Sequence, residues 1–303
     1  MAERPPLSRS TASKFLIVTA DDFGLHRAVN EGIEKASLAG VLSAASLMVN
    51  EPATADAVRR AQDLPHLRVG LHLVLADGHA VLSRRLIPDL VDRDGRFGSR
   101  MFRDGVRFFL LPALRRQLEA EIRAQFEAFA GTGLLLDHVN AHKHFHLHPT
   151  LLQMIVRIGR DYGAPAVRVP QEPLWFRQRG GAAIADSAGA LALSPWLSLM
   201  KRRLRAAGIA HNDQLFGISC SGSLDESTLL AILARLPPGV TEIYSHPAVE
   251  MPGPVAASMG AYRHADELAA LLSARVRDAI ATAQVACGGY RDLLDSRVSR
   301  RAA

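Results

Sequence analysis

Phe15-Leu16-Ile17-Val18-Thr19-Ala20 is apolar and β-branched without alternation, the pattern of a strand buried on both faces, and it stops at Asp21-Asp22. Val29, Ile33 and Ala36 then recur at helical spacing until Gly40 supplies a stop. The alternation continues. Strands are expected at 44–49, at 67–71 ending against His72, and at 134–139, 166–169, 215–218, 242–244 and 284–286. Helices are expected at 54–64, 113–130, 149–161, 224–236 and 265–282. Eight strands alternating with helices predict an α/β chain with a parallel sheet, either closed as a (β/α) barrel or open and doubly wound. Asp21-Asp22-Phe23-Gly24 stands where a glycine-rich phosphate loop would follow the first strand, which favours the barrel.

No repeat or low-complexity linker divides the chain, so one irregular TIM-like barrel over 14–293 is expected, with insertions at about 75–112 and 174–212. Residues 1–13, rich in Ser, Arg and Pro without an apolar core, read as a disordered tail, and 294–303 as a basic C-terminal tail. The apolar stretch 182–200 is interrupted by Asp186, Gly189 and Pro195 and falls short of a membrane span.

Composition changes this picture little. The 303 residues are 48% hydrophobic and 22% charged, which excludes disorder, collagen and coiled coil. The net charge of +6 comes from arginines spread along the chain, with lysine only at Lys14, Lys35, Lys143 and Lys201, and no nucleic-acid motif accompanies it. Nucleic acid is therefore not an expected partner. Cys220 and Cys287 have neither disulfide-framework nor metal spacing, which suits a reducing, cytoplasmic compartment.

The chemistry lies at the strand ends. Asp21 and Asp22 close the first strand, His72 the third, His142 follows the fourth, Arg168 is in the fifth and His246 follows the seventh. In a barrel these positions meet at one C-terminal mouth. Adjacent carboxylates in a buried setting repel unless a cation separates them. Asp22, His72 and His142 make a carboxylate and two imidazoles with open coordination, as in catalytic zinc sites, and leave Asp21 as a base. The same set suits a non-haem Fe(II) oxygenase. Each residue also has a structural reading: Asp21 or Asp22 as a helix N-cap, His72 as a hydrogen-bonded core histidine, His246 as a turn residue before Pro247, Arg168 as an ion-pair partner. In the run His138, His142, His144, His146 and His148, an extended backbone would place several imidazoles on one face, more than one metal can use.

Thr19-Ala20-Asp21-Asp22-Phe23-Gly24, Gly70-Leu71-His72-Leu73, Asn140-Ala141-His142-Lys143-His144-Phe145-His146 and Ser245-His246-Pro247 resemble, in this order, the motifs of the YdjC-like carbohydrate deacetylases, and most of all their hopanoid-biosynthesis branch. The resemblance covers about residues 14–293. It implies an irregular (β/α) barrel and a hydrolase that removes N-acetyl groups from amino sugars with one divalent metal ion, zinc or magnesium. It makes Asp22, His72 and His142 the ligands and Asp21 the base, and it implies an N-acetylglucosaminyl hopanoid as substrate. On this reading His246 protonates the departing amine and Arg168 orients Asp21. Aromatic and aliphatic residues beside arginines in both insertions suit transient contact with a membrane surface, which would make the protein peripheral at the inner face. A soluble chito-oligosaccharide deacetylase and a non-catalytic glycolipid binder are the rival readings. One departure stands out: Asn140-Ala141-His142 replaces the Asp-Ser-His of many relatives, so no carboxylate supports the ligands there.

Overall fold

The structure, a computed structural model, describes residues 14–179 and 184–302. The predicted tail at 1–13 lies outside the described residues. Seven strands are present among the described residues: β1 (Lys14–Phe23), β2 (Ala44–Leu47), β3 (Arg68–Leu73), β4 (Val139–Ala141), β5 (Gln214–Phe216), β6 (Gly239–Ser245) and β7 (Ala286–Cys287). They form one curled parallel sheet in the order β4-β3-β2-β1-β6-β5, with β7 beside the start of β1. Because every pairing is parallel, all C-terminal strand ends lie along the same edge.

Alternation along β1 explains where polarity begins. Leu16, Val18 and Ala20 join the main core under the helices. Phe15 and Ile17 pack on the other face with Ala44, Ala166, Val240, Tyr290 and Leu293. Further along that second face come Thr19, bonded to Glu242, and Asp21, bonded to Arg168. The interior therefore changes from apolar to charged toward the strand's C-terminal end.

Several expectations are corrected. β1 does not stop at the aspartates but runs through them to Phe23, with a register shift against β2 between Ala20 and Phe23 and Asp22 at φ +64°. Aspartate tolerates that left-handed conformation better than most residues. The expected strand at 166–169 makes only isolated parallel bridges, Val139 to Val167 and Ala166 to Ala210. Pro165 and Pro170 flank it, and neither has an N–H to give a ladder. The expected strand at 134–139 is displaced to Val139–Ala141. The helix expected over 265–282 is two helices, His264–Leu272 and Ala274–Thr282, because Ser273 leaves helical geometry and its Oγ caps the second. A helix, Tyr290–Ala302, runs into the segment expected as a basic tail at 294–303.

The segments 75–112 and 174–212 both contain helices that pack on the loop after β4. Phe108, in the helix Met101–Leu110, lies 5.7 Å from Phe145, and Trp196, in the helix Ile184–Ala206, donates its indole N–H to the Leu147 carbonyl at 2.9 Å. Among the described residues no helix is long and apolar enough to cross a membrane.

Candidate metal centre

The site begins with the irregularity in β1. Successive side chains of a regular strand point to opposite faces, and a bulge re-aims one of them. Asp21 and Asp22, both buried, thereby reach the same mouth. His72 stands one residue before the end of β3, and His142 directly follows β4.

Asp22, His72 and His142 place one donor atom each within 4.8 Å of one another. Asp22 Oδ1 is 3.1 Å from His142 Nδ1 and 3.3 Å from His72 Nε2. Asp22 Oδ2 and His72 Nε2 are buried without a hydrogen-bond partner. Orphaned buried polar atoms of this kind cost about 1–3 kcal/mol each, a penalty that coordination removes. One hard oxygen and two imidazole nitrogens suit zinc and other divalent cations, so the donor set fits a metal ion.

Asn140 organises two of these groups. Its Nδ2 donates to Asp21 Oδ1 at 3.2 Å and to Ser46 Oγ at 2.9 Å, which turns its Oδ1 to His72 Nδ1 at 2.6 Å. An amide oxygen only accepts, so His72 carries a proton on Nδ1, which leaves Nε2 as the ring atom that faces Asp22.

Asp21 belongs to a different network. Arg168, fully buried, donates NH1 to Asp21 Oδ2 at 2.6 Å and NH2 to Asp21 Oδ1 at 2.9 Å. The same guanidinium donates to Glu242 Oε1 from Nε at 3.0 Å and from NH2 at 2.7 Å. Glu242 also accepts from Thr19 Oγ1 at 2.9 Å and Tyr290 Oη at 2.7 Å. Burial by itself would push the Asp21 carboxyl up, but the Arg168 charge, followed by His72 and the Arg168 hydrogen bonds, holds it far below the usual carboxylate range. Burial likewise opposes the charge on Arg168, and its two carboxylates outweigh that.

Asp21, His72, His142, His144, Tyr244, His246 and Tyr262 line one cleft of about 230 Å³. His246 Nε2 is 3.9 Å from Asp22 Oδ2, and its Nδ1 is buried and unpartnered. Every sequence-predicted site residue therefore lies at this mouth or directly behind it.

The histidine run behaves differently from the extended segment the sequence suggested. Lys143 and His144 take left-handed backbone angles inside a 3-10 turn, His142–Leu147, so the imidazoles fan apart. His144 Nε2 meets Tyr244 Oη at 3.1 Å, and burial, with His146 next in weight, holds it well below its ordinary value. His146 accepts from the Ala141 N–H and donates to the Arg168 carbonyl, a structural role. His138 bonds Asp137 and Ser46, and its ring fills the space where a side chain at Gly70 would stand, 2.5 Å from the site of a Cβ. His148 packs edge-on against Phe108 and Phe109. The N-cap reading of the aspartates is also corrected, since His26 caps the helix Arg27–Ala39. Sequence reasoning missed Glu242, Tyr244 and Tyr290. Glu242 left a signal, an acid at the centre of a buried apolar strand, whereas the two tyrosines left none.

A curled parallel sheet whose strand ends gather a carboxylate and two imidazoles over a small cleft, with a second carboxylate beside them, defines an α/β protein whose strand-end donors could hold a metal ion. The chain belongs to the YdjC-like protein family, whose profile matches residues 15–282. It is 41% identical over 155 residues to a carbohydrate deacetylase of Brevibacillus brevis, a match spanning 51% of this chain and 59% of that protein. It is 28% identical over 235 residues to a carbohydrate deacetylase of Thermoanaerobacter pseudethanolicus, covering 78% and 81%. The chain thus spans under three fifths of the length of the first relative and about four fifths of the second. A crystal structure of a proposed cellobiose-phosphate cleavage protein from Enterococcus faecalis V583 shares the fold, with a TM-score of 0.72, 24% identity, and coverage of 93% of this chain and 99% of that one.

Proposed function

We propose that this protein is a metal-dependent N-deacetylase that hydrolyses the acetamide of an amino sugar to acetate and the free amine. The observation that carries the reading is the Asp22, His72 and His142 triad, whose two imidazoles line one cleft with an independently held carboxylate, Asp21. The deacetylase names of the relatives support the same reaction.

Asp22, His72 and His142 would hold one divalent ion, zinc or magnesium. Such an ion, when bound, polarises the acetyl carbonyl and lowers the pKa of water. Asp21 accepts the proton of the attacking water as its oxygen bonds to the acetyl carbon. Arg168 fixes the plane of that carboxylate with two hydrogen bonds. His246, in the same cleft, donates a proton to the sugar nitrogen as the carbon–nitrogen bond breaks, because an amide nitrogen departs poorly unless protonated.

The substrate reading is an N-acetylglucosaminyl hopanoid, from the motif resemblance, with a cytoplasmic protein peripheral at the inner membrane face. The second reading is a soluble chito-oligosaccharide, with which the relatives' name, carbohydrate deacetylase, is equally consistent. Bonds from the 165–171 segment to both β4 and β5, Arg168 N–H to the Val139 carbonyl and Leu215 N–H to the Gln171 carbonyl, support closure of the sheet as an irregular barrel, and the two insertions remain part of this reading. The test is acetate release by metal-stripped protein reloaded with zinc or magnesium, from the hopanoid and from N,N'-diacetylchitobiose. Metal-restored release from either establishes the deacetylase, and the preferred substrate decides between the two readings. No release from either, with metal bound, turns the reading to a binder.

A further inference from the structure

We propose that the outer face of the helix Met101–Leu110 docks on an anionic lipid bilayer. Five of the ten exposed large hydrophobic residues among the described residues fall in this one segment: Phe102, Val106, Phe109, Leu110 and Leu111. Phe102 is 88% exposed, Leu110 63% and Phe109 56%, although side chains of this size are normally at least half covered in a soluble protein.

The exposure follows from helix geometry. Positions 102, 106, 109 and 110 fall within about 100° of one another at 3.6 residues per turn, so they form one stripe. Phe108 lies on the far, buried side with Gly105 between it and the stripe, and Phe108 packs on Phe145 and His148. The helix end is pinned as well, since Arg115 donates to the carbonyls of Phe108 and Phe109. The stripe therefore cannot roll inward without unpacking the segment.

Charge selects the occupant. Residues 100–116 carry five arginines against one aspartate, in a chain of net charge +6. Arg103 and Arg107 share Asp104, which leaves the cluster positive overall. An apolar stripe with aromatic residues, edged by arginines, matches the boundary between acyl chains and anionic headgroups. Phe108 and Phe109 lie against His148, in the loop that begins with His142, so docking here brings the cleft-bearing loop to the lipid surface. The inference deepens the lipid-linked substrate reading, but its test needs no turnover.

The full chain, loaded with zinc, is sedimented with vesicles of phosphatidylcholine alone or mixed equally with phosphatidylglycerol, at low and high salt. Binding to the mixed vesicles is expected, weakened by salt and by omission of phosphatidylglycerol. Phe102→Ser combined with Phe109→Ser is expected to reduce it about tenfold or more, given the apolar area removed. Both positions are exposed, and unchanged circular dichroism and thermal midpoint verify folding. Arg100→Glu with Arg116→Glu should abolish the preference for phosphatidylglycerol and leave the fold intact. The proposal is overturned if the wild type stays in the supernatant, or if the double serine variant sediments equally. It is also overturned if the wild type forms a dimer that the serine variant does not, since the face then belongs to a second copy. Vesicle binding by a protein that releases no acetate from either the hopanoid or N,N'-diacetylchitobiose would sink the deacetylase reading and leave this one standing.

Discussion

Asn140 presents its amide oxygen to Nδ1 of His72 at 2.6 Å, and the orientation is dictated from the far end of the same amide, which donates to Asp21 and Ser46. A neutral side chain thus does the positioning that a carboxylate would otherwise do. It fixes the His72 tautomer and at the same time avoids a third negative charge beside Asp21 and Asp22. Asn140→Leu removes this bridge at nearly constant volume. Metal affinity measured by calorimetry is expected to fall by about 10–100-fold, the usual cost of losing such a supporting bond. Unchanged affinity would remove Asn140 from this role.

Asp21→Asn tests the base directly. The amide keeps the shape, loses the charge that faces Arg168, and cannot accept the water proton. Acetate release is expected to fall by about 10²–10⁴-fold, while metal binding persists because Asp22, His72 and His142 are intact. Loss of metal together with activity would place Asp21 among the ligands instead.

The C-terminal helix reaches the site through one hydroxyl. Tyr290 Oη donates to Glu242 Oε2 at 2.7 Å, and Glu242 in turn holds the guanidinium that grips Asp21. Tyr290→Phe leaves a fully buried carboxylate oxygen without this donor, so a loss of about 1–3 kcal/mol in urea unfolding is expected. A stability equal to that of the wild type would show that Glu242 finds another donor.

Stability should also depend on pH through His146. Burial, then the Arg168 charge and His72, lower its pKa from 6.5 to about 3. In the unfolded chain the imidazole takes a proton near its ordinary value, and in the folded chain only near the lower one. Between the two the unfolded state binds more protons, so stability is complete above about 6.5 and declines as the pH falls toward about 3. His144 shifts in the same direction. The thermal midpoint of metal-free protein should therefore drop between about pH 7 and about pH 5, and His146→Gln should flatten the drop. Parallel curves for the two proteins would exclude His146 as the source.

Much of the site was legible because burial and charge conflict locally. A run such as Phe15–Ala20 announces a covered strand, and two acids at its end announce something that must neutralise them. His72 and His246 were legible in the same way, as polar groups ending apolar runs. The histidines after Ala141 were not, because their directions depend on left-handed angles at Lys143 and His144 that no periodicity encodes. The strand expected at 166–169 makes only isolated bridges, because its flanking prolines cannot donate to a ladder.

By itself the sequence determined the alternation of strands and helices, the parallel class of the sheet and the strand ends that carry charge, since these follow from hydrophobic period and from turn residues within a few positions. Tertiary structure alone decided which groups meet. Asp21 and Arg168 are 147 residues apart, and Asp22 and His142 are 120 apart. It also decided that a bulge turns two adjacent aspartates to one mouth, and that one helix keeps its apolar stripe outside. Each of these depends on strand register and on what packs across a long closure, and neither quantity is written in a local stretch of chain.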